Sequence, residues 1–102
     1  MSQIELVSID HPEVRPLRIS ERLRSQLVYF MTPAATHDVP SLGENEFWFA
    51  RDEVAKWLLE GVFYLVSPLD SANQTEVELT EEQEAMLVWL SRHQIQHVRA
   101  VE

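Results

Sequence analysis

Four histidines, seventeen carboxylates and no cysteine are the groups this chain offers for chemistry. His37-Asp38 is the pair that comes closest to a general base beside an orienting acid. Adjacent residues in a loop rarely point the same way, and no nucleophile motif accompanies them. Ser41 stands in Pro40-Ser41-Leu42-Gly43, not in the G-x-S-x-G turn of a serine hydrolase. His37 and Asp38 are therefore the catalytic candidates of a chain without an assembled catalytic set. His93 and His97 are four apart, a spacing that binds metal when both lie on one helix. Here Gln94-Ile95 reads as a helix-to-strand transition, which separates the two rings, and no carboxylate lies in the segment. Glu76, Glu78, Glu81, Glu82 and Glu84 are dense but lack the alternating Asp/Asn pattern of a calcium loop. No metal is expected. Gly43 and Gly61 are the only glycines. Neither a P-loop nor a dinucleotide turn can be built from them, so no cofactor is expected either.

A different chemistry is offered by Arg18, Arg22 and Tyr29. If Ile19–Met31 is a helix, these three fall together on the side away from the apolar stripe. Arginine beside an exposed aromatic is enriched at protein interfaces. A guanidinium fork also holds carboxylate or phosphate. These three residues are the candidates for binding a partner or an anion. A complementary acidic surface lies over residues 76–84, and Val88 is the one apolar residue on the polar face of the helix that follows.

The elements that must position these groups are read from periodicity. Glu46–Val66 looks like the organising unit. Phe47-Trp48-Phe49 has strand composition. Val54, Ala55, Trp57, Leu58 and Leu59 fill one wide arc of a short helix, with Asp52 and Glu53 at its positive end. Gly61 can take the left-handed conformation that ends it. Val62–Val66 is an apolar run of strand length, expected as a central strand, and Ser67-Pro68 closes it. Residues 3–9 alternate as a first strand. Ile19–Met31, with Ser20 as N-cap, reads as a helix, although Leu27–Phe30 would also serve as strand. Residues 32–45 form a long loop with two prolines and a glycine. Asp70–Gln74 is a polar turn, and Val77 and Leu79 mark a short edge strand. Thr80-x-x-Gln83 is a capping box opening a helix that carries Met86, Leu87, Trp89 and Leu90 on one face. Residues 95–101 alternate as a last strand. The class is α+β, or a small α/β fold: one mixed sheet of about four to five strands covered by three helices, in the order β-α-loop-β-α-β-(β)-α-β.

At 102 residues and 45% hydrophobic the chain suits a single globular domain over 1–102. Net charge is −9. Nucleic acid is an unsuitable partner, since binding it needs a basic footprint, and an anionic membrane is disfavoured for the same reason. The first twenty residues carry acids and arginines with no long apolar run, so neither a signal peptide nor a spanning helix is expected. A chain without cysteine fits the reducing cytoplasm. The functional expectation is a non-enzymatic protein-interaction or regulatory module whose partner is a protein, a second copy of itself included. The alternative is a small enzyme or anionic-ligand-binding domain with its site under the 32–45 loop.

Overall fold

The computed structural model describes residues 3–30, 38–66 and 74–102. Its elements run β1 (Ile4–Ser8), β2 (Leu17–Ile19), α1 (Glu21–Gln26), a 3-10 turn (Leu27–Tyr29), β3 (Glu46–Trp48), α2 (Arg51–Glu60), β4 (Val62–Val66), β5 (Gln74–Glu78), α3 (Glu81–His93) and β6 (His97–Val101). The α+β class is the one expected. Four strands form one sheet in the order β2-β1-β6-β3, and β4 with β5 forms a separate two-stranded ribbon. Every pairing among the described strands is antiparallel.

The four-stranded sheet is built by alternation. Ile4, Leu6 and Ser8 of β1, Val98 and Ala100 of β6, Phe47 of β3 and Ile19 of β2 point to one side and are buried. Successive side chains of a strand face opposite ways, so one face collects the apolar set. Leu23 and Leu27 from α1 and its 3-10 extension, Val54 from α2, and Met86, Leu87 and Leu90 from α3 join that set in one core. Phe30 and Phe63 meet at 4.8 Å between ring centroids, and Trp57 stands edge-on to Phe30 at 5.2 Å. This brings the ribbon and α2 onto the same core.

Three expectations change. The helix over 19–31 is shorter: Ile19 and Arg18 belong to β2, paired with Ile4 and Glu5, and the helix begins after Ser20. The Ser20 hydroxyl accepts from the Leu23 N–H and caps it. Val62–Val66 is not a central strand of the main sheet; it pairs with β5 in the ribbon. The centre of the sheet is instead β1 and β6, from opposite ends of the sequence. Leu59 also leaves its expected apolar arc, at 88% exposure, because α2 buries only the narrow side that carries Val54.

Local signals hold where the chemistry is local. Gly61 ends α2 at φ 72°, its N–H donating to the Trp57 carbonyl. Both bonds of the Thr80–Gln83 capping box are present. Met31 at the end of the expected helix, residues 32–37 of the long loop, Ser67-Pro68 and residues 70–73 of the polar turn lie outside the described residues. No helix among those described is long and apolar enough to cross a membrane.

Candidate functional site

The helices pack on one face of the sheet, and the other face carries its ionisable groups. The strand register sets them in rows. Arg18, Glu5 and Val101 stand side by side in the first row; Val7, Arg99 and Glu46 in the second; His97 and Trp48 in the third. Glu5, Arg18, Arg99 and Val101 are exposed, and Val7, Glu46, Trp48 and His97 are half-buried.

Glu46 and His97 form the tightest contact on this face. Their strands pair Glu46 with Arg99 and Trp48 with His97, so the carboxylate reaches the imidazole diagonally, at 2.7 Å from Oε1 to Nε2. The second carboxylate oxygen lies 3.9 Å from the Arg99 guanidinium. The Glu46 carboxyl is held below the ordinary glutamate range. A backbone hydrogen bond from Gly43 is the largest cause, followed by the hydrogen bond to His97; partial burial works the other way, and the charges of His97 and Arg99 add to the lowering. Gly43 leaves room for this approach: a Cβ there would lie 2.6 Å from Glu46 Oε2 and would displace the carboxylate tip. The main chain beside His97 is fixed as well. Asp10 accepts from the Gln96 N–H at 3.0 Å and the Ser8 hydroxyl at 3.1 Å. The His11 ring meets the Gln94 carbonyl at 3.1 Å. Among the described residues the His97 ring has Glu46 as its hydrogen-bond partner and no hydroxyl or amine nucleophile joins them.

Just before β3 the chain turns into the strand. Asn45 adopts φ 62°, and its carbonyl accepts the Ala100 N–H at 2.9 Å. Beyond that bond a groove of about 510 Å³ opens, lined by Arg24, Asn45, Arg99, Ala100, Val101 and Glu102. Arg24 enters it from α1. Its guanidinium lies 5.0 Å over the Phe47 ring and donates to Asn45 Oδ1 at 2.8 Å.

The predicted residues are distributed across the molecule. Arg18 lies on β2 and contributes to the open sheet face, while Arg22 lies in α1, so the single helical face on which Arg18, Arg22 and Tyr29 were to meet does not form. Tyr29 stacks on Phe63 at 6.1 Å and stays 47% exposed. Asp38 is exposed, and His37 lies outside the described residues. His93 and His97 are divided between the end of α3 and β6, and no group of three metal-ligating side chains occurs among the described residues. Sequence reasoning missed Glu46, Arg99, Arg24 and Asn45. The spacing of Glu46 and His97 carries no signal, since their contact depends on a strand register 51 residues apart. Gly43, three residues before a glutamate at the end of the loop, was the one local hint.

No protein-family model, curated protein sequence or solved structure matches this chain.

Proposed function

We propose that this protein is a non-enzymatic protein-interaction module of the cytoplasm that associates with a second copy of itself through the open face of the four-stranded sheet. The observation that carries the reading is the charge of that face. The chain as a whole is at −9, yet this face sets two arginines, Arg18 and Arg99, beside two glutamates, Glu5 and Glu46. It is a surface of balanced charge on an acidic molecule. Each sign is present, so a copy turned by a two-fold axis can set glutamate against arginine. Val7 and Val101 supply apolar area between them. A binding role also fits the Glu46–His97 pair, which orders the face without an associated nucleophile. Size sets the strength. Two five-residue and two three-residue strands, at about 3.4 Å per residue and about 4.8 Å apart, make a panel of roughly 260 Å² on each copy. That is below the ordinary range for specific interfaces, so the association through this face is weak and concentration-dependent.

Sedimentation equilibrium over a wide concentration range tests this. The wild-type chain should self-associate reversibly. Arg18→Glu and Val7→Glu should each shift it to monomer, whereas Arg22→Glu, on the helical side, should not. A wild type that stays monomeric at the highest concentrations, or association lost with Arg22→Glu and kept with Arg18→Glu, overturns the reading.

A further inference from the structure

We propose that the groove between Arg24 and Arg99 is a binding site for a small oxyanion, a phosphate or a carboxylate. The inference does not depend on self-association: Arg24 reaches the groove from the helical side, although Arg99 and Val101 also belong to the face proposed above.

Three observations carry it. The first is that Arg24 is held in place without being neutralised. Stacking on Phe47 and the hydrogen bond to Asn45 Oδ1 fix the guanidinium plane. No carboxylate among the described residues lies within ion-pairing distance of it. Acids outnumber bases by seventeen to eight in this chain, so an arginine fixed by an aromatic ring and an amide, with no ion pair among the described residues, stands out. The bond to Arg24 uses the amide oxygen of Asn45, which leaves its NH₂ as a further donor.

The second is that Arg99 is only loosely compensated. Its one ion pair, to Glu46, is 3.9 Å long, and that carboxylate is already bound by His97 and by the Gly43 backbone. Most of the guanidinium fork remains available, and the side chain is 55% exposed. Third, the two cations line one groove of about 510 Å³, ample for a small oxyanion. Planar guanidinium groups are suited to carboxylate and phosphate oxygens, and the Asn45 amide adds a neutral donor to the same groove.

Two features oppose an anion, and they set the affinity. The net charge of −9 repels it at long range, but at physiological ionic strength charges beyond about 8 Å are screened. Glu102 lines the same groove and acts at short range. The balance is a dissociation constant on the order of a millimolar.

The test is a ¹⁵N-resolved NMR titration of the full chain with inorganic phosphate and, separately, with succinate, each against sodium chloride at matched ionic strength. The expected result is saturable shifts at the Asn45 side-chain amide and at the backbone amides of Ala100, Val101 and Glu102. Arg99→Gln should weaken binding by about tenfold or more. Arg24→Lys, which keeps the charge and loses the fork, should do the same, and Glu102→Gln should tighten it. The dispersed amide spectrum of each variant establishes that it is folded. Saturation by phosphate alone, succinate alone or both supports the site and identifies its preference. If neither anion saturates, if chloride reproduces the shifts, or if Arg24→Lys and Arg99→Gln bind as the wild type does, the proposal fails.

Discussion

Glu46 is the residue whose ionisation the fold most clearly uses. Its carboxylate accepts from the Gly43 backbone and from His97, and Arg99 stands beyond it. All three favour the charged form, so the folded protein binds a proton there less readily than the unfolded chain does. The sign follows by linkage. The contribution is complete above the ordinary glutamate value of 4.5 and is lost as pH falls below it toward the lowered folded value. Glu46→Gln removes that dependence. We therefore expect the variant to melt below wild type at pH 6, with the gap closing as pH drops from 5 to 3. Melting temperatures followed by circular dichroism at each pH measure this. Parallel curves for the two proteins across that range would show that the Glu46 contacts do not favour the ionised state. This site was barely legible in the sequence. A histidine and a glutamate on different strands have no fixed spacing, because only register brings them together. His97 was readable as a strand residue, and its partner was marked only by the glycine three residues before it.

At the scale of elements, α1 shows why some boundaries were legible and others were not. Ile19, Leu23, Leu27 and Phe30 make a helical stripe, and all four are buried. Yet Ile19 belongs to β2 and Leu27 to a 3-10 turn. The stripe records which way the core lies, and a strand entering a short helix can satisfy it as well as one long helix does. Caps are different: Ser20, Gly61 and the Thr80–Gln83 box act through neighbours a few residues away, so their types announce them. Six residues are too few for a helix to persist by itself, and tertiary contacts must hold α1. Glu82, in the first turn of α3, accepts from both the backbone N–H and the hydroxyl of Ser20, at 2.9 and 2.5 Å. The next residue, buried Gln83, donates to Gln26 at 3.0 Å. The acidic run over 76–84 thus includes one residue that secures a neighbouring helix. A double-mutant cycle of Ser20→Ala and Glu82→Gln in urea unfolding should give a coupling of about 0.5–1 kcal/mol, the lower range for charged hydrogen bonds because the contact is exposed. Additive effects within error would mean that the two helix starts are held by their apolar contacts alone.

For the whole molecule the decisive quantity is the charge of −9. Charge pairs across an interface weaken as salt rises, and a dimer built on arginine and glutamate would be expected to loosen. Magnitudes reverse that expectation. Two copies packed along the shortest dimension, 26 Å, with nine negative charges each, repel by roughly 13 kcal/mol in unscreened water. Screening over about 30 Å at 0.01 M leaves roughly 5 kcal/mol, and over about 8 Å at 0.15 M less than ~1 kcal/mol. Contacts between the rows of the sheet face are exposed at the start and worth about 0–1 kcal/mol a pair, so their loss to screening is smaller than the repulsion removed. Self-association should therefore strengthen between 0.01 and 0.15 M sodium chloride, by up to about 4 kcal/mol or roughly a thousandfold. Light scattering coupled to size-exclusion chromatography at fixed loading reads this directly, as monomer at the low salt and a growing dimer fraction at the higher one. The same balance favours the mixed-charge sheet face over the acidic surface around residues 76–84 as the proposed meeting surface, because two acidic surfaces would add short-range repulsion to the long-range term. A dimer that weakens steadily over this range would require an interface in which opposite charges dominate the whole-molecule repulsion. The mixed rows of this face do not supply one, and the self-association reading would fall with that result.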